Sequence, residues 1–332
     1  MAKVLLVEPI HDSGIQILKQ AGLETVVAAS TDTEALIAAV QDDIFGMIIR
    51  TSRLEGRVLE AGRQLKIIGR HGIGVNNIDL PTADRLGVLV ANVPDANSYS
   101  VAEYVITAVM TLSRKLVQGD AALRAGRLSQ PGASLPGLVK KLNLGGNELP
   151  GRQLGIIGLG KIGLQIAEMA SGFLHMKVLA YDPYRKDAPR RIRMVDDINE
   201  IYRQADFITL NTPLTKETEN MINAAALGRI KPTACLINAG RGELIDEQAL
   251  AEALSNGKLS GAALDVFREE PPGLANPLFS APNVLLTPHV AGSTEEAVER
   301  LAIGSAQAVA DLFCGRKPAN IVNSRVWESI AK

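Results

Sequence analysis

The chain has 332 residues, more than one hydrophobic core usually accommodates, so its length favours two domains. Hydrophobic residues make up 46% and charged residues 21% of it, which is ordinary for a globular protein and argues against a disordered or fibrous chain. The 35 basic and 36 acidic residues nearly cancel, so we expect no broad field that would attract nucleic acid or an anionic membrane.

The N-terminal segment M-A-K-V-L-L-V-E-P is one short apolar run followed by a charge. It has neither the form of a signal peptide nor the length to span a bilayer, so we expect a cytoplasmic protein. The two cysteines, Cys235 and Cys314, are far apart and have no histidines at ligand spacing. The sequence therefore predicts neither a disulfide framework nor a metal site.

The first part of the chain alternates short β-branched runs with amphipathic stretches, which is typical of a parallel sheet covered by helices. The expected segments are 3–8, 12–21, 45–50, 58–62, 66–70 and 87–92. Apolar residues at helical spacing then predict a long buried helix over 98–116. The following segment, 126–150, is rich in Gly, Pro, Leu and Lys without clear periodicity, and we expect an extended surface arm or lid whose role is open.

A second series of strands begins at residue 151 and predicts a doubly wound sheet of six strands. Its apolar runs are R-Q-L-G-I-I-G, K-V-L-A-Y-D, A-D-F-I-T-L-N, A-C-L-I-N-A, G-A-A-L-D-V and N-V-L-L-T-P. A second amphipathic helix is expected over 294–313, and Gly315 marks its end.

The segment G-L-G-K-I-G follows the first of these strands and begins a helical stretch, as a dinucleotide-binding fingerprint does. Gly158 permits a tight turn, Gly160 lets the backbone approach a pyrophosphate, and Gly163 permits close packing of helix on strand. Asp182 ends the next strand, where a carboxylate accepts hydrogen bonds from ribose hydroxyls and repels a 2′-phosphate. The sequence therefore favours NAD over NADP, with phosphate binding by the nearby Arg185 as the competing interpretation.

Polar residues follow three later strands of the second series, in N-A-G-R-G, D-V-F-R-E-E-P-P and T-P-H-V-A-G-S-T. Since the ends of parallel strands gather at one crevice, we expect these segments to lie together. Arg241 has the charge to hold a carboxylate and polarise a carbonyl, and His289 can donate or accept a proton near neutral pH. Glu270 is the candidate carboxylate that would orient His289 and favour its protonated form.

Over nearly its whole length, the chain resembles the D-isomer-specific 2-hydroxyacid dehydrogenases. The resemblance rests on L-I-N-A-G-R-G-E-L-I-D-E-Q-A-L, A-L-D-V-F-R-E-E-P and P-H-V-A-G-S-T, which are more specific than the glycine fingerprint. It implies that Arg241 binds and polarises the substrate, that His289 is the general acid or base, and that Glu270 orients His289. Glu269 would then be the exposed neighbour.

The resemblance also implies further cofactor contacts and a division into domains. The additional cofactor-binding residues would be Lys161, Ile162, Thr212, Pro213, Ala239, Asp265 and Gly292. The expected fold is α/β, with two doubly wound parallel-sheet domains. A Rossmann-type cofactor domain would span 98–289, and a flavodoxin-like, discontinuous substrate domain would combine 1–97 with 290–332. The helix at 98–116 would form a homodimer interface, with a tetramer of such dimers as an alternative.

The segment G-R-H-G-I-G-V-N-N-I-D resembles the substrate loop of the family, and its backbone N–H groups suit a carboxylate. The predicted substrate-binding residues are Arg50, Arg70, Gly72, Ile73 and Gly74. Two arginines suggest a second anionic group on the substrate, and the phosphoglycerate dehydrogenase branch also has arginines there. A three-carbon acid bearing phosphate or a mimic such as sulfonate is therefore the leading expectation.

Several features depart from that branch and leave the acid open. His71 replaces a small residue and Asn76 replaces an aspartate, and the role of His71 is undecided between substrate contact and structure. One alternative is a broad-range 2-hydroxy acid, hydroxypyruvate or glyoxylate reductase, or a sulfolactate dehydrogenase. The other is an NAD-sensing, corepressor-like binding protein. We expect His11 and His175 to be non-catalytic, and no C-terminal regulatory domain.

Overall fold

The computed structural model describes residues 1–185 and 187–330, the side chain of Ile330 excepted. Its contacts divide the chain into two compact units. Unit 1 combines Met1–Asn97 with the chain from Ser293 onward, and unit 2 is Ser98–Gly292. The second change of unit falls three residues after the boundary expected at 289/290, and the extents of the two domains stay predictions. Within the described ranges, no helix combines the length and apolar character needed to cross a membrane.

Residues 1–97 of unit 1 contain a five-stranded parallel sheet with the order β2-β1-β3-β4-β5. The strands are β1 Lys3–Leu6, β2 Glu24–Val27, β3 Ile44–Ile49, β4 Ile67–Arg70 and β5 Leu89–Ala91. The helices are α1 Asp12–Gln20, α2 Thr33–Val40, α3 Gly56–Ala61 and α4 Leu80–Leu86. The parallel α/β pattern is confirmed, but β2, α2 and α4 were not predicted from the sequence. At the sheet edge, β2 is exposed at both ends and lacks the continuous apolar run of a central strand.

Unit 2 contains a seven-stranded parallel sheet with the order β12-β11-β10-β9-β6-β7-β8. The strands are β6 Gln153–Ile157, β7 Lys177–Tyr181, β8 Ile192–Met194, β9 Phe207–Leu210, β10 Cys235–Asn238, β11 Gly261–Leu264 and β12 Val284–Leu286. The helices are α5 Ser98–Arg114, α6 Leu116–Arg124, α7 Leu135–Lys141, α8 Lys161–Gly172, α9 Ile198–Gln204, α10 Ala224–Leu227 and α11 Glu247–Ser255, with short 3-10 helices at Gly242–Leu244 and Pro277–Phe279. The predicted count of six strands was wrong, because the edge strand β8 has only three residues.

Two helix predictions in unit 2 need correction. The helix expected over 98–116 ends at Arg114, because Lys115 adopts left-handed backbone with φ of 52° and is the N-cap of α6. The segment 126–150 is not extended throughout, since it contains α7. The side chain of Ser134 accepts a hydrogen bond from the Gly137 N–H and caps this helix, and a proline lies in its first turn.

Two further helices complete unit 1, namely α12 Glu295–Phe313 and α13 Ser324–Ile330. The Thr294 side chain caps α12, and Gly315 follows its end with φ of 72°, as predicted. Helix α12 packs closely on α1, where a Cβ at Gly14 would lie 2.8 Å from the Ala302 carbonyl oxygen. The predicted fold class of two doubly wound parallel-sheet units is confirmed.

The topology of unit 2 brings the predicted polar segments together. Strands β10, β11 and β12 are consecutive neighbours and run parallel. Arg241 follows β10, Asp265 follows β11 directly, and His289 follows β12. All three therefore lie at the carboxyl edge of one sheet, the edge that also carries the turn after β6.

Candidate active site

The turn between β6 and α8 can be built only with glycine at two of its three fingerprint positions. Gly158 has φ of +90°, and a Cβ there would lie 2.5 Å from the Asn211 carbonyl oxygen. A Cβ at Gly163 would collide with the Gly158 carbonyl oxygen. Both positions therefore serve the tight turn and the close packing that the sequence predicts.

Close packing does not require glycine at position 160, because a Cβ there would meet nothing within 4 Å. It is the N-cap of α8, and among the described residues no side chain caps that helix. Lys161 and Ile162 form the start of the first turn, where backbone N–H groups carry partial positive charge. Open space beside a helix N-terminus fits the pyrophosphate of a dinucleotide.

Asp182 and Arg185 both hold the fingerprint turn. Asp182 accepts hydrogen bonds from the Leu159 N–H and the Tyr184 N–H, each at 2.9 Å. The Arg185 guanidinium donates to the carbonyls of Leu159 and Asp187, at 3.0 and 2.9 Å. Backbone groups of the turn thus engage both side chains, and the contact of Asp182 with a ribose stays a prediction.

The other predicted cofactor contacts follow neighbouring strands of the same sheet. Thr212 and Pro213 lie just after β9, and the Thr212 nitrogen borders the space that a Gly158 side chain would need. The Pro213 carbonyl accepts a hydrogen bond from Thr218 Oγ1 at 2.7 Å. Ala239 follows β10 and Gly292 ends unit 2, and both are partly exposed. Their contacts with a cofactor stay predictions.

His289 and Glu270 form a hydrogen-bonded pair. His289 Nδ1 lies 2.8 Å from Glu270 Oε2, and Glu270 Oε1 accepts a bond of 3.1 Å from the Phe267 N–H. Both side chains are partly exposed, and Glu269 is exposed beside them. The sequence thus identified two side chains that meet across 19 positions of chain.

The pair shifts the titration of both members. The hydrogen bond to Glu270 raises the pKa of His289 from its ordinary 6.5, and the charges of Glu270 and Asp265 act the same way against burial and Arg241. Burial alone would raise the pKa of Glu270, but the hydrogen bonds from His289 and the Phe267 N–H outweigh it, so this pKa is lowered. The arrangement favours an imidazolium beside a carboxylate.

Arg241 lies in a turn that its own backbone and Asn238 define. The Asn238 amide donates to the Arg241 carbonyl at 2.8 Å and accepts from the Gly240 N–H at 3.0 Å. The Arg241 guanidinium donates to the Gly240 carbonyl at 2.8 Å. Its charge acts to lower the pKa values of both Glu270 and His289. Sequence analysis missed Asn238, which is fully buried and is the last residue of β10.

Asp265 is fully buried, and its described contacts hold the segment that carries His289. Its carboxylate accepts hydrogen bonds from Thr287 Oγ1, the Val290 N–H and the Ala291 N–H, at 2.6, 2.9 and 2.8 Å. Its contact with a nicotinamide amide stays a prediction. Sequence analysis missed Thr287, although this residue lies within the T-P-H-V-A-G-S-T motif.

In unit 1, the residue Arg50 follows β3 and is supported by a partly buried carboxylate. Glu8 accepts hydrogen bonds from the N–H groups of Arg50, Thr51 and Ser52, between 2.8 and 2.9 Å. Burial alone would raise the pKa of Glu8, but these bonds outweigh it and lower this pKa. The Arg50 guanidinium donates to the Pro9 carbonyl at 3.0 Å. Sequence analysis missed Glu8.

The loop after β4 directs its carbonyl groups toward internal donors. Arg70 donates through Nε to the Gly74 carbonyl and through one terminal nitrogen to the His71 carbonyl, at 2.7 and 2.6 Å. The carbonyls of Gly72 and Ile73 accept from the Val93 N–H and the Asn92 side chain. A Cβ at Gly72 would collide with the Arg70 guanidinium, so this cation lies directly on the loop.

His71 belongs to that loop and is only 4% exposed. Burial, with the charges of Arg50 and Arg70, lowers its pKa to about 4. Its Nε2 atom is buried and has no hydrogen-bond partner among the described residues. His71 is therefore neutral at pH 7. The described parts of the chain contain no cluster of side chains suited to a metal ion.

Comparison with known proteins agrees with this geometry. Residues 106–291 match the family described as "D-isomer specific 2-hydroxyacid dehydrogenase, NAD binding domain". A D-3-phosphoglycerate dehydrogenase of Methanocaldococcus jannaschii is 39% identical over 326 residues, which are 97% of this chain and 60% of that protein. A glyoxylate reductase of Thermofilum pendens is 33% identical over 331 residues, which are 98% of this chain and 95% of that protein.

Solved structures give the same result. A protein from Thermus thermophilus superposes with a TM-score of 0.86 at 30% identity, covering 96% of this chain and 99% of its own. An NADPH-dependent glyoxylate/hydroxypyruvate reductase from Sinorhizobium meliloti gives a TM-score of 0.84 at 28% identity, covering 97% and 98%.

The chain belongs to the D-isomer-specific 2-hydroxyacid dehydrogenase family, which confirms the predicted resemblance. Unit 2 contains the NAD-binding domain of that family, which confirms NAD as the predicted cofactor. The chain spans 60%, 56% and 59% of the lengths of three curated phosphoglycerate dehydrogenases that it matches.

Proposed function

We propose that this protein is an NAD-dependent dehydrogenase that interconverts a small D-2-hydroxy acid and its 2-keto acid. The observation that carries the proposal is the His289–Glu270 pair, joined at 2.8 Å, together with Arg241 on the neighbouring strand end. These groups lie on the sheet edge that also carries the dinucleotide turn. A cation for a carboxylate and a proton donor for an alkoxide are the two protein groups that carbonyl reduction needs.

Bound NAD supplies the hydride chemistry, and the chain's own residues handle charge and protons. Arg241 holds the substrate carboxylate and polarises the carbonyl oxygen. His289 keeps Nδ1 on Glu270, so Nε2 is the nitrogen that protonates the developing alkoxide during reduction and accepts this proton during oxidation. The Glu270 carboxylate balances the imidazolium charge and fixes the ring.

Unit 1 supports binding of an anionic substrate. Successive carbonyls of the loop at 70–74 accept internal hydrogen bonds, and the described contacts leave the N–H groups of Ile73 and Gly74 without a protein acceptor. Such N–H groups suit a carboxylate. Arg50 and Arg70 add positive charge, and both are fixed by protein carbonyls, which favours a second anionic group such as phosphate. Broad-range hydroxypyruvate or glyoxylate reduction and sulfolactate oxidation are the competing substrate classes.

The first experiment is a panel of NADH-linked steady-state assays with phosphohydroxypyruvate, sulfopyruvate, hydroxypyruvate, glyoxylate, pyruvate and oxaloacetate. We expect the highest kcat/KM for an acid with a second anion, and loss of turnover in His289→Ala. Preference for uncharged tails would keep the dehydrogenase and reject the two-arginine substrate class. Tight NADH binding without turnover of any acid would favour the NAD-sensing binding protein instead.

Charge reversal at Arg50 tests the anion class directly. Arg50→Glu should raise the KM for phosphohydroxypyruvate at least about tenfold, because a charge-assisted contact contributes about 1.5–3 kcal/mol. The KM for glyoxylate, which has no second anion, should change much less. Arg53→Glu is the matched control, since Arg53 is exposed in the same loop. Equal KM values for phosphohydroxypyruvate in wild type and Arg50→Glu would contradict the substrate assignment.

We also propose a homodimer, formed through the exposed apolar side chains that α5, α6 and α7 carry on unit 2. These side chains are Tyr99, Met110, Leu116, Val117, Leu123 and Leu135. A group of large apolar side chains on one segment is typical of a protein interface, and a twofold dimer is the commonest arrangement. Light scattering should return twice the mass of one chain, and a mass of one chain would contradict the proposal.

Both cysteines are free, which fits our proposal of a cytoplasmic location.

A further inference from the structure

A chain of hydrogen bonds runs from helix α5 to the carboxylate of Asp265. The Tyr104 hydroxyl lies 2.7 Å from Thr287 Oγ1, and Thr287 Oγ1 donates to Asp265 Oδ1 at 2.6 Å. Tyr104 lies on α5, outside every motif that the sequence analysis used. These two hydrogen bonds therefore connect the Asp265 carboxylate to helix α5.

The direction of these bonds follows from the number of protons available. A threonine hydroxyl has one proton, and that of Thr287 is donated to the carboxylate. Tyr104 must then be the donor to Thr287. Burial raises the pKa of Tyr104 to about 12, with a smaller contribution from the Asp265 charge, so its phenol keeps its proton at neutral pH.

Asp265 controls the backbone on both sides of the His289 side chain. Its carboxylate accepts the N–H groups of Val290 and Ala291, and its carbonyl accepts the His289 N–H at 2.7 Å. His289 has φ of +55°, in the left-handed region that non-glycine residues rarely adopt. Conformations of this kind persist only where surrounding contacts fix them.

We propose that Tyr104 and Thr287 are positioning residues that hold the Asp265 carboxylate and, through it, the left-handed turn that places His289 against Glu270. The proposal rests on the proposed function for its catalytic consequence. Its structural consequence, the orientation of the imidazole, is independent of any substrate. The hydrogen bonds of Asp265 itself set the turn, and Tyr104 and Thr287 hold the Asp265 carboxylate in place.

If this turn is less well fixed, the pKa of His289 should change, because the groups that face the imidazole ring set this pKa. Those groups are Glu270, which accepts its hydrogen bond, Asp265, and the opposing charge of Arg241. The hydrogen bond to Glu270 is the largest cause of the raised pKa of His289. A less well fixed backbone weakens this bond, so the pKa of His289 should fall toward its ordinary value.

The decisive experiment is NMR titration of the four histidines in wild type, Thr287→Val and Thr287→Ser, without substrate. Valine keeps the shape of threonine and removes the hydroxyl, whereas serine keeps the hydroxyl. We expect the His289 pKa to fall by at least about half a unit in Thr287→Val, and to return in Thr287→Ser. The resonances of His11 and His175 serve as internal references.

A double-mutant cycle tests whether Tyr104 acts through Thr287. Tyr104→Phe alone should lower the His289 pKa and reduce kcat about two- to tenfold with little change in KM for NADH. In the Thr287→Val background, Tyr104→Phe should add almost nothing, because the acceptor of its proton is gone. Tyr202→Phe is the control, since Tyr202 is a buried tyrosine of unit 2 that belongs to another core cluster than the one on which the partly buried Tyr104 packs.

An unchanged His289 pKa in Thr287→Val would overturn the proposal, and so would fully additive effects of the two substitutions. Failure of the proposed function has a different outcome. In that case wild type would reduce none of the acids in the panel, while the NMR titrations would still show the linked shifts. If Thr287→Val unfolds, Tyr104→Phe and Thr287→Ser still supply the comparison.

Discussion

Replacement of His289 by glutamine should lower kcat for keto-acid reduction by about 10²–10⁴-fold, the usual contribution of a positioned general acid. Glutamine keeps a polar side chain of similar reach but cannot carry the proton that the alkoxide needs. The dinucleotide turn and Asp182 are separate from this side chain, so the Kd for NADH should change less than about threefold. Stopped-flow single turnover and fluorescence titration of NADH measure the two quantities separately. A kcat within tenfold of wild type would contradict the assignment of His289.

The pH dependence follows from the same pair of residues. Reduction needs protonated His289, so its rate should fall as pH rises through the pKa of His289. Because that pKa is raised above 6.5, the alkaline limb of the pH–rate profile for reduction should have its midpoint above pH 6.5. Glu270→Gln removes the charge and the strongest acceptor, so the limb should move to lower pH. Oxidation needs the neutral ring and should show the opposite trend, and a limb at the same pH in Glu270→Gln would contradict the proposed pairing.

Sequence was most informative where backbone geometry leaves little choice of residue. Gly158 needs positive φ, Gly163 contacts a carbonyl directly, and both could be recognised because a strand and a helix flank them. The three polar segments could be placed together because parallel strands end at one sheet edge. Short edge strands such as β8 and the exposed β2 were missed, since few of their residues are buried and no periodic signal remains.

Contacts between distant parts of the chain could not be predicted from local patterns. Tyr104 and Thr287 are separated by 183 positions, and nothing in the helical pattern of α5 indicates a polar partner. The same holds for Glu8, which binds the loop around Arg50 across more than 40 positions. Sequence located Arg70 beside the glycine-rich loop, but the orientation of its guanidinium on Gly72 follows from hydrogen bonds to loop carbonyls.

The largest expected effect on stability comes from Gly242, beside Arg241. A Cβ at this position would collide with the backbone of Phe267, and backbone cannot move aside as a flexible side chain can. Gly242→Ala should therefore lower the free energy of unfolding by about 3 kcal/mol or more and Tm by at least about 6 °C. It should also reduce kcat, because the displaced segments carry Arg241 and the Phe267 N–H that binds Glu270.

Gly240 provides a control only two residues away in the same turn. A Cβ at Gly240 would lie 3.4 Å from the Leu210 carbonyl oxygen and farther from other atoms, which is ordinary contact. Neither glycine has positive φ, so the two substitutions differ mainly in available space. Gly240→Ala should leave Tm within about 2 °C of wild type. Replacing glycine by alanine lowers the conformational entropy of the unfolded chain equally at both positions. Equal Tm values for the two variants would therefore show that the Gly242 and Phe267 backbones are not in close contact.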